Sequence, residues 1–168
     1  MISESQIRKH LESALQIAKK AFELGNYPIG AVFVDGEGNH EIVEMNECKT
    51  LDDITAHAEI LGIRKLGNKF HKDSPGEYYL FTSLEPCFGC SFFLARTNVT
   101  RIYSALKDPH KGGISDLKPQ EQFHNFFKNI ELIHEPYEDL KKESKELMQK
   151  YFLINNKKDS AIFYGYKE

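Results

Sequence analysis

The chain has 168 residues, 40% of them hydrophobic and 12% aromatic, the make-up of one packed domain, which excludes a largely disordered chain. Its 22 Lys and Arg against 25 Asp and Glu leave a formal charge of -3, which excludes a protein that holds nucleic acid by overall charge alone. Three unevenly placed cysteines make no disulfide framework, the polar stretch Met1 to His10 does not read as a secretory signal, and no apolar run approaches the ~20 residues of a membrane span, so the expected location is cytoplasmic.

Ser3 and Gln6 have the pattern of a capping box ahead of Ile7, Leu11, Ala14, Leu15, Ala18 and Phe22, which recur at helical spacing until Gly25. Ile29 to Val34 and Glu41 to Met45, separated by Asp35-Gly36-Glu37-Gly38, read as a β-hairpin. A polar loop from Asn46 to Asp53 then leads to Thr55, the expected cap of a helix running through Ile60, Ile63 and Leu66 to Gly67. Tyr78 to Ser83 reads as a buried strand, and Pro86 suits the first turn of a helix carrying Phe88, Phe92 and Leu94 toward Arg96. A strand at Thr100 to Leu106, a helix around Pro119 to Lys128, a strand at Ile130 to His134 and a helix from Pro136 toward Phe152 complete the alternation. The expected fold is a three-layer α/β/α arrangement around a mixed sheet of about five strands. Residues 1–152 form the domain, and 153–168 a tail whose Ile162, Phe163, Tyr164 and Tyr166 call for a docking site.

Chemistry concentrates in Thr55-Ala56-His57-Ala58-Glu59 and Glu85-Pro86-Cys87-Phe88-Gly89-Cys90. On a helix Cys87 and Cys90 share a face, so both sulfurs can reach one ion, with His57 as a third ligand from another helix. Three protein ligands leave the fourth tetrahedral position to water, the layout of a catalytic Zn2+ site, where hydroxide becomes available near neutral pH. Both ligand segments open helices, where unpaired N–H groups and the helix dipole favour thiolate. Glu59 lies two positions beyond His57 and points elsewhere, so it reads as a proton shuttle rather than a further ligand.

His57, Glu59 and Pro86-Cys87-Phe88-Gly89-Cys90 match the H-x-E and P-C-x-x-C signature of the zinc nucleobase deaminases, the cytidine deaminase-like superfamily. The resemblance runs from about Pro28 to about Asp108 and more weakly over both terminal helices. Pro28-Ile29-Gly30-Ala31-Val32, Asn46 and Thr82-Ser83-Leu84-Glu85 resemble the purine-acting branch, which includes tRNA adenosine deaminase and guanine deaminase. That likeness implies that Asn46 contacts the bound base or its sugar, that Ala58 and Leu84 line the pocket and that the protein is a homodimer; Ile29 is expected to bind substrate with them, and Asp108 and His110, which follow a strand end near the site, to border it. It also implies that the Phe163-Tyr164-Gly165-Tyr166 tail closes the pocket as a lid. Ile54 stands where this branch usually has Pro, and Ser91, Phe92 and Phe93 where it usually has small residues, so packing beneath the site is expected to differ.

Taken alone, the C-x-x-C pair could be a redox pair or half of a structural zinc site, but neither reading accounts for His57 or Glu59. Cys48 stands outside both motifs and takes no role, and Asn46 has a turn as its alternative use. Phe88, Phe92, Phe93, Phe126 and Phe127 read as core packing. The expected reaction is hydrolytic deamination of a free base or nucleoside; the alternatives are adenosine-to-inosine deamination of tRNA and an inactive zinc-binding relative serving as a binding module. The slightly acidic balance argues against RNA, while Lys69, His71, Lys72, Lys107, His110 and Lys111 are the candidates for a basic patch built from two loops.

Overall fold

A computed structural model describes residues 2–110 and 112–167. The first helix, α1 (Glu4–Glu23), starts as its sequence predicts: Gln6 N–H donates to Ser3 Oγ at 3.3 Å and Ser3 N–H to Gln6 Oε1 at 2.9 Å. The hairpin of β1 (Gly30–Asp35) and β2 (His40–Met45) is closed by the Asp35 carboxylate, which accepts from the Glu37 and Asn39 N–H groups. There follow α2 (Ala58–Leu66), a 3-10 turn (Gly67–Phe70), β3 (Tyr78–Thr82), α3 (Phe88–Leu94) and β4 (Val99–Ser104). The chain continues through α4 (Gly113–Leu117), α5 (Glu121–Phe127), β5 (Glu131–His134), α6 (Glu138–Ile154) and α7 (Lys158–Phe163).

The strands form one mixed sheet in the order β2-β1-β3-β4-β5. β1 is antiparallel to both β2 and β3, while β3, β4 and β5 run parallel. Side chains alternate across the pleat, and this divides the core. Val32, Val34, Tyr79 and Phe81 meet Leu11 and Leu15 of α1 and Leu140 of α6, whereas Ala31, Phe33, Leu80 and Ile102 meet Ala58 and Leu66 of α2 and Leu94 of α3. The result is the three-layer fold expected. Among the described residues no helix is long and apolar enough to cross a membrane.

Local chemistry overrides several of the expected boundaries. Thr55 is not a helix cap, because its N–H and hydroxyl both donate to Asp53 Oδ1, at 2.8 and 2.7 Å, and hold it in the preceding turn. His57 occupies the cap position instead, with φ -71° and ψ 147°. Pro86 likewise lies ahead of its helix: its carbonyl accepts from Gly113 N–H and Ser91 Oγ, and Cys87 is the cap. The helix expected around Pro119 to Lys128 is α5, and the separate α4 before it is concealed in the sequence by Gly112-Gly113. Only glycine fits at 113, where a Cβ would stand 2.1 Å from Ser91 Oγ and 2.7 Å from the Cys87 carbonyl oxygen. Phe92 and Phe127 do pack in the interior, but Phe88, Phe93 and Phe126 are 44%, 57% and 48% exposed, since α3 and α5 each turn only one side to the sheet.

Gly62 seats α2 on β1: a Cβ there would stand 2.1 Å from Phe33 Cε2. Gly62→Ala is expected to lower stability by about 1–3 kcal/mol, the range for overpacking. Urea unfolding reads this, and an unchanged midpoint would refute the close approach.

Candidate active site

The loop ahead of α2 is folded by its own polar side chains. Cys48 N–H donates to Asn46 Oδ1 at 3.2 Å and Asn46 Nδ2 to Cys48 Sγ at 3.4 Å, while Glu47 N–H reaches the Ala56 carbonyl. Arg64 of α2 holds the other end, pairing with Asp53 and donating to Thr55 Oγ1 at 3.1 Å. His57 therefore enters the helix from a fixed turn. On the far side, Ser91 Oγ ties α3 to the Pro86 and Cys87 carbonyls, and the Cys87 backbone bridges to Gly112. These two anchored helix starts face one another.

His57 Nδ1 lies 3.6 Å from Cys87 Sγ and 3.5 Å from Cys90 Sγ, and the three ligand atoms all fall within 4.8 Å of one another. Tetrahedral zinc, with bonds of about 2.0 Å to nitrogen and about 2.3 Å to sulfur, sets those ligand atoms about 3.6 Å apart. The two nitrogen–sulfur separations thus match those of a zinc site. The Cys87 thiol is lowered to about 4, chiefly by its hydrogen bond with Cys90 and further by His57, against the opposing effect of burial. Cys90 is pushed up by the same hydrogen bond and by burial.

Glu59, 3% exposed, sits behind the ligands and accepts from Cys90 Sγ at 3.5 Å. Burial, then the Cys87 charge, pushes its carboxyl up to about 7. A carboxyl poised there can take up or release a proton near neutral pH.

These groups open into a cavity of about 250 Å³ lined by His57, Glu59 and Cys87 together with Asn46, Ile29, Leu84 and Asp108. The structure brings the expected border residues to the cavity but not Ala58, which is fully buried in the core between α2 and the sheet. Asn46 both shapes its turn and faces the cavity. Tyr27, Glu85, Met148, Phe152, Lys157 and Ser160 also line the wall. Of these, Met148 and Phe152 carry a signal in their i, i+4 apolar spacing on α6, but nothing in that spacing says which cavity they border. Glu85 is fixed by Ser115, whose N–H and hydroxyl donate to Oε1, and by Asp108 N–H, which donates to Oε2 at 3.3 Å. Ser91, Phe92 and Phe93 stay out of the cavity, so their bulk does not block it.

The tail docks at this cavity. Tyr164, buried, donates to Asp108 Oδ1 at 2.9 Å, its ring stacks on Phe152, and burial followed by the Asp108 charge keeps its hydroxyl protonated. His110 stacks on Phe163 at 4.2 Å. The six basic residues considered for one patch are dispersed: His110 borders this cavity, His71 and Lys72 line a different cleft, Lys69 and Lys107 line neither, and Lys111 lies outside the described residues.

A mixed α/β/α sheet with one imidazole, two thiols and a buried glutamate at its edge defines the class, that of the zinc-dependent hydrolytic deaminases acting on nucleobases or nucleosides. Within that class, the chain belongs to the cytidine and deoxycytidylate deaminase zinc-binding family, whose model matches residues 4–106. The tRNA-specific adenosine deaminase of Aquifex aeolicus is 38% identical over 106 residues, 62% of this chain and 70% of that one. A solved structure from a study of A-to-I editing by tRNA:A34 deaminases at the wobble position superposes with a TM-score of 0.70 at 30% identity, covering 83% of this chain and 99% of the other. Guanine deaminase from Bacillus subtilis superposes at 0.51 with 28% identity over 64% of this chain and 66% of its own.

Replacing His57, Cys87 or Cys90 by Ala is expected to reduce bound zinc from one equivalent to a small fraction of it. Elemental analysis of the purified variants checks this, and full occupancy in any of them would remove that residue from the ligand set.

Proposed function

We propose that the protein deaminates a free base or nucleoside, preferably a purine, with His57, Cys87 and Cys90 holding zinc and Glu59 carrying protons. Zinc held by His57, Cys87 and Cys90 would supply an activated water. Glu59 would carry protons between water, the ring nitrogen and the departing amine. A C–O bond forms at the amino-bearing ring carbon, the C–N bond breaks, and one water is consumed for each ammonia released. The raised affinity of Glu59 for protons suits it to both transfers. Asn46 and Asp108 orient the polar edge of the ring, and Ile29 and Leu84 hold its faces.

The observation that carries the choice of substrate is Tyr164, which lines the cavity and donates to Asp108. A space of about 250 Å³ is below the usual ~300 Å³ floor for drug-sized ligands and suits one small ring system. That the six residues considered for one patch do not gather at this cavity is a further argument against a polymer. The second reading, deamination of adenosine in tRNA, is favoured by what the Aquifex aeolicus relative is named for. The three free cysteines support a reducing, cytoplasmic setting, and the expected homodimer would give cover to the exposed Phe88 and Phe93 of α3.

Ammonia release from guanine, adenine, cytosine and their nucleosides is expected for at least one of these. Activity confined to a tRNA anticodon stem-loop would overturn the first reading in favour of the second. Glu59→Gln is expected to keep its zinc while turnover falls about 10²-fold or more; unchanged turnover would remove the proton role. Tyr164→Phe, which deletes only the hydroxyl on Asp108, is expected to raise KM for the small substrate more than it lowers kcat, and steady-state kinetics would show the split.

A further inference from the structure

A larger cleft, of about 650 Å³, lies at the N-terminal ends of the parallel strands, lined by parts of the 71–76, 95–100 and 125–130 segments. The catalytic cavity uses the opposite ends of the same strands, Leu84 to Cys87 beyond β3 and Asp108 to His110 beyond β4. The five residues of β3 at ~3.3 Å each keep the two sites roughly 16 Å apart, beyond the reach of one small ligand.

The cleft's charge is lopsided. Lys72, Arg96, Lys128 and His71 line it and no carboxylate does, although the whole chain carries more acid than base. Several cations elsewhere are paired, Arg8 with Glu12 and Asp139, Lys19 with Glu143, Lys65 with Glu44, Arg101 with Glu131 and Lys141 with Glu135, and His71 of the cleft lies 3.5 Å from Asp73. Among the described residues, Lys72, Arg96 and Lys128 have no such partner. Cations gathered in a concavity repel one another and focus a positive potential that an anion relieves. Two further features point to more than inorganic anion. Asn98, 7% exposed, donates through Nδ2 to the Gly76 carbonyl and leaves its Oδ1 without a hydrogen-bond partner at the cleft wall. Phe126, 48% exposed, is steadied by an edge contact with Phe92 and presents an aromatic surface beside the cations.

We propose that this cleft is a second binding site, for a nucleoside polyphosphate, with the phosphates on Lys72, Arg96 and Lys128 and the base against Phe126. Three unpaired cations match the charge of a polyphosphate better than that of a monophosphate, and base-on-aromatic contact is indifferent to which base is present.

Calorimetric titration of the zinc-loaded protein at low salt tests it, with uridine triphosphate and inorganic triphosphate as probes. Uracil has no exocyclic amino group, so the first probe cannot be consumed at the catalytic site. Both are expected to bind, the nucleotide more tightly. Joint replacement of Lys72, Arg96 and Lys128 by Gln is expected to weaken both at least tenfold. Phe126→Ala is expected to remove the nucleotide's advantage and leave inorganic triphosphate unaffected. No binding by the unaltered protein, or binding that survives the triple substitution, would overturn the proposal, and equal affinity for the two probes would overturn the base contact. Because the readout is binding, failure of the catalytic reading would not mimic either result.

Discussion

Everything catalytic in this chain depends on two helices beginning where they face each other. His57 and Cys87 are both the residue just outside a helix, in extended conformation, and Cys90 follows one turn inside the second. That arrangement sets the nitrogen 3.5–3.6 Å from each sulfur. It also directs unpaired backbone N–H groups toward the charge that the ligands must carry. The position of each helix start is in turn enforced from outside: Asp53 and Arg64 hold the turn before α2, and Gly113 allows α4 to press against Ser91 and Cys87. Moving either start by one residue would turn a ligand away from the ion.

The same frame explains which parts of the site were legible in the sequence. His57, Cys87, Cys90 and Glu59 lie in two short segments whose spacing and family signature single them out, and the fold brings the imidazole and both thiols together. Capping was read less well, because Thr55 and Pro86 have the composition of helix-start residues but spend their hydrogen bonds on neighbouring turns and on α4. The helix α4 was invisible for a related reason: Gly112-Gly113 reads as a breaker, while in the fold the missing Cβ is what permits close contact. The far wall of the cavity, Tyr27, Met148, Phe152, Lys157 and Ser160, depends on which strand α6 returns across, and no local pattern encodes that. The sheet itself was legible, since Ile29 to Val34 and Tyr78 to Ser83 are apolar runs of strand length, and the structure places Val32 and Phe81 on one face and Phe33 and Leu80 on the other.

Charge is distributed along the strands rather than between faces. The carboxyl-terminal ends of the parallel strands hold a cavity bordered by Glu59, Glu85 and Asp108, each held by hydrogen bonds from the protein. The amino-terminal ends hold the cluster of unpaired cations. A net charge near zero conceals this polarity. A single figure for the whole chain therefore says little about what either end attracts.

The docking of α7 and Tyr164 at the cavity has a dynamic consequence. At six residues this helix is too short to persist alone, and its inward anchors are Ala161 and Tyr164, while Ile162 and Phe163 remain half in water. Release of the tail would require only that one turn fray and one phenol let go, with the sheet undisturbed. Such an opening is a local melting event with its own enthalpy. Where it limits product escape, the Arrhenius slope of turnover would report the unzipping of the tail rather than the chemistry at the ring carbon.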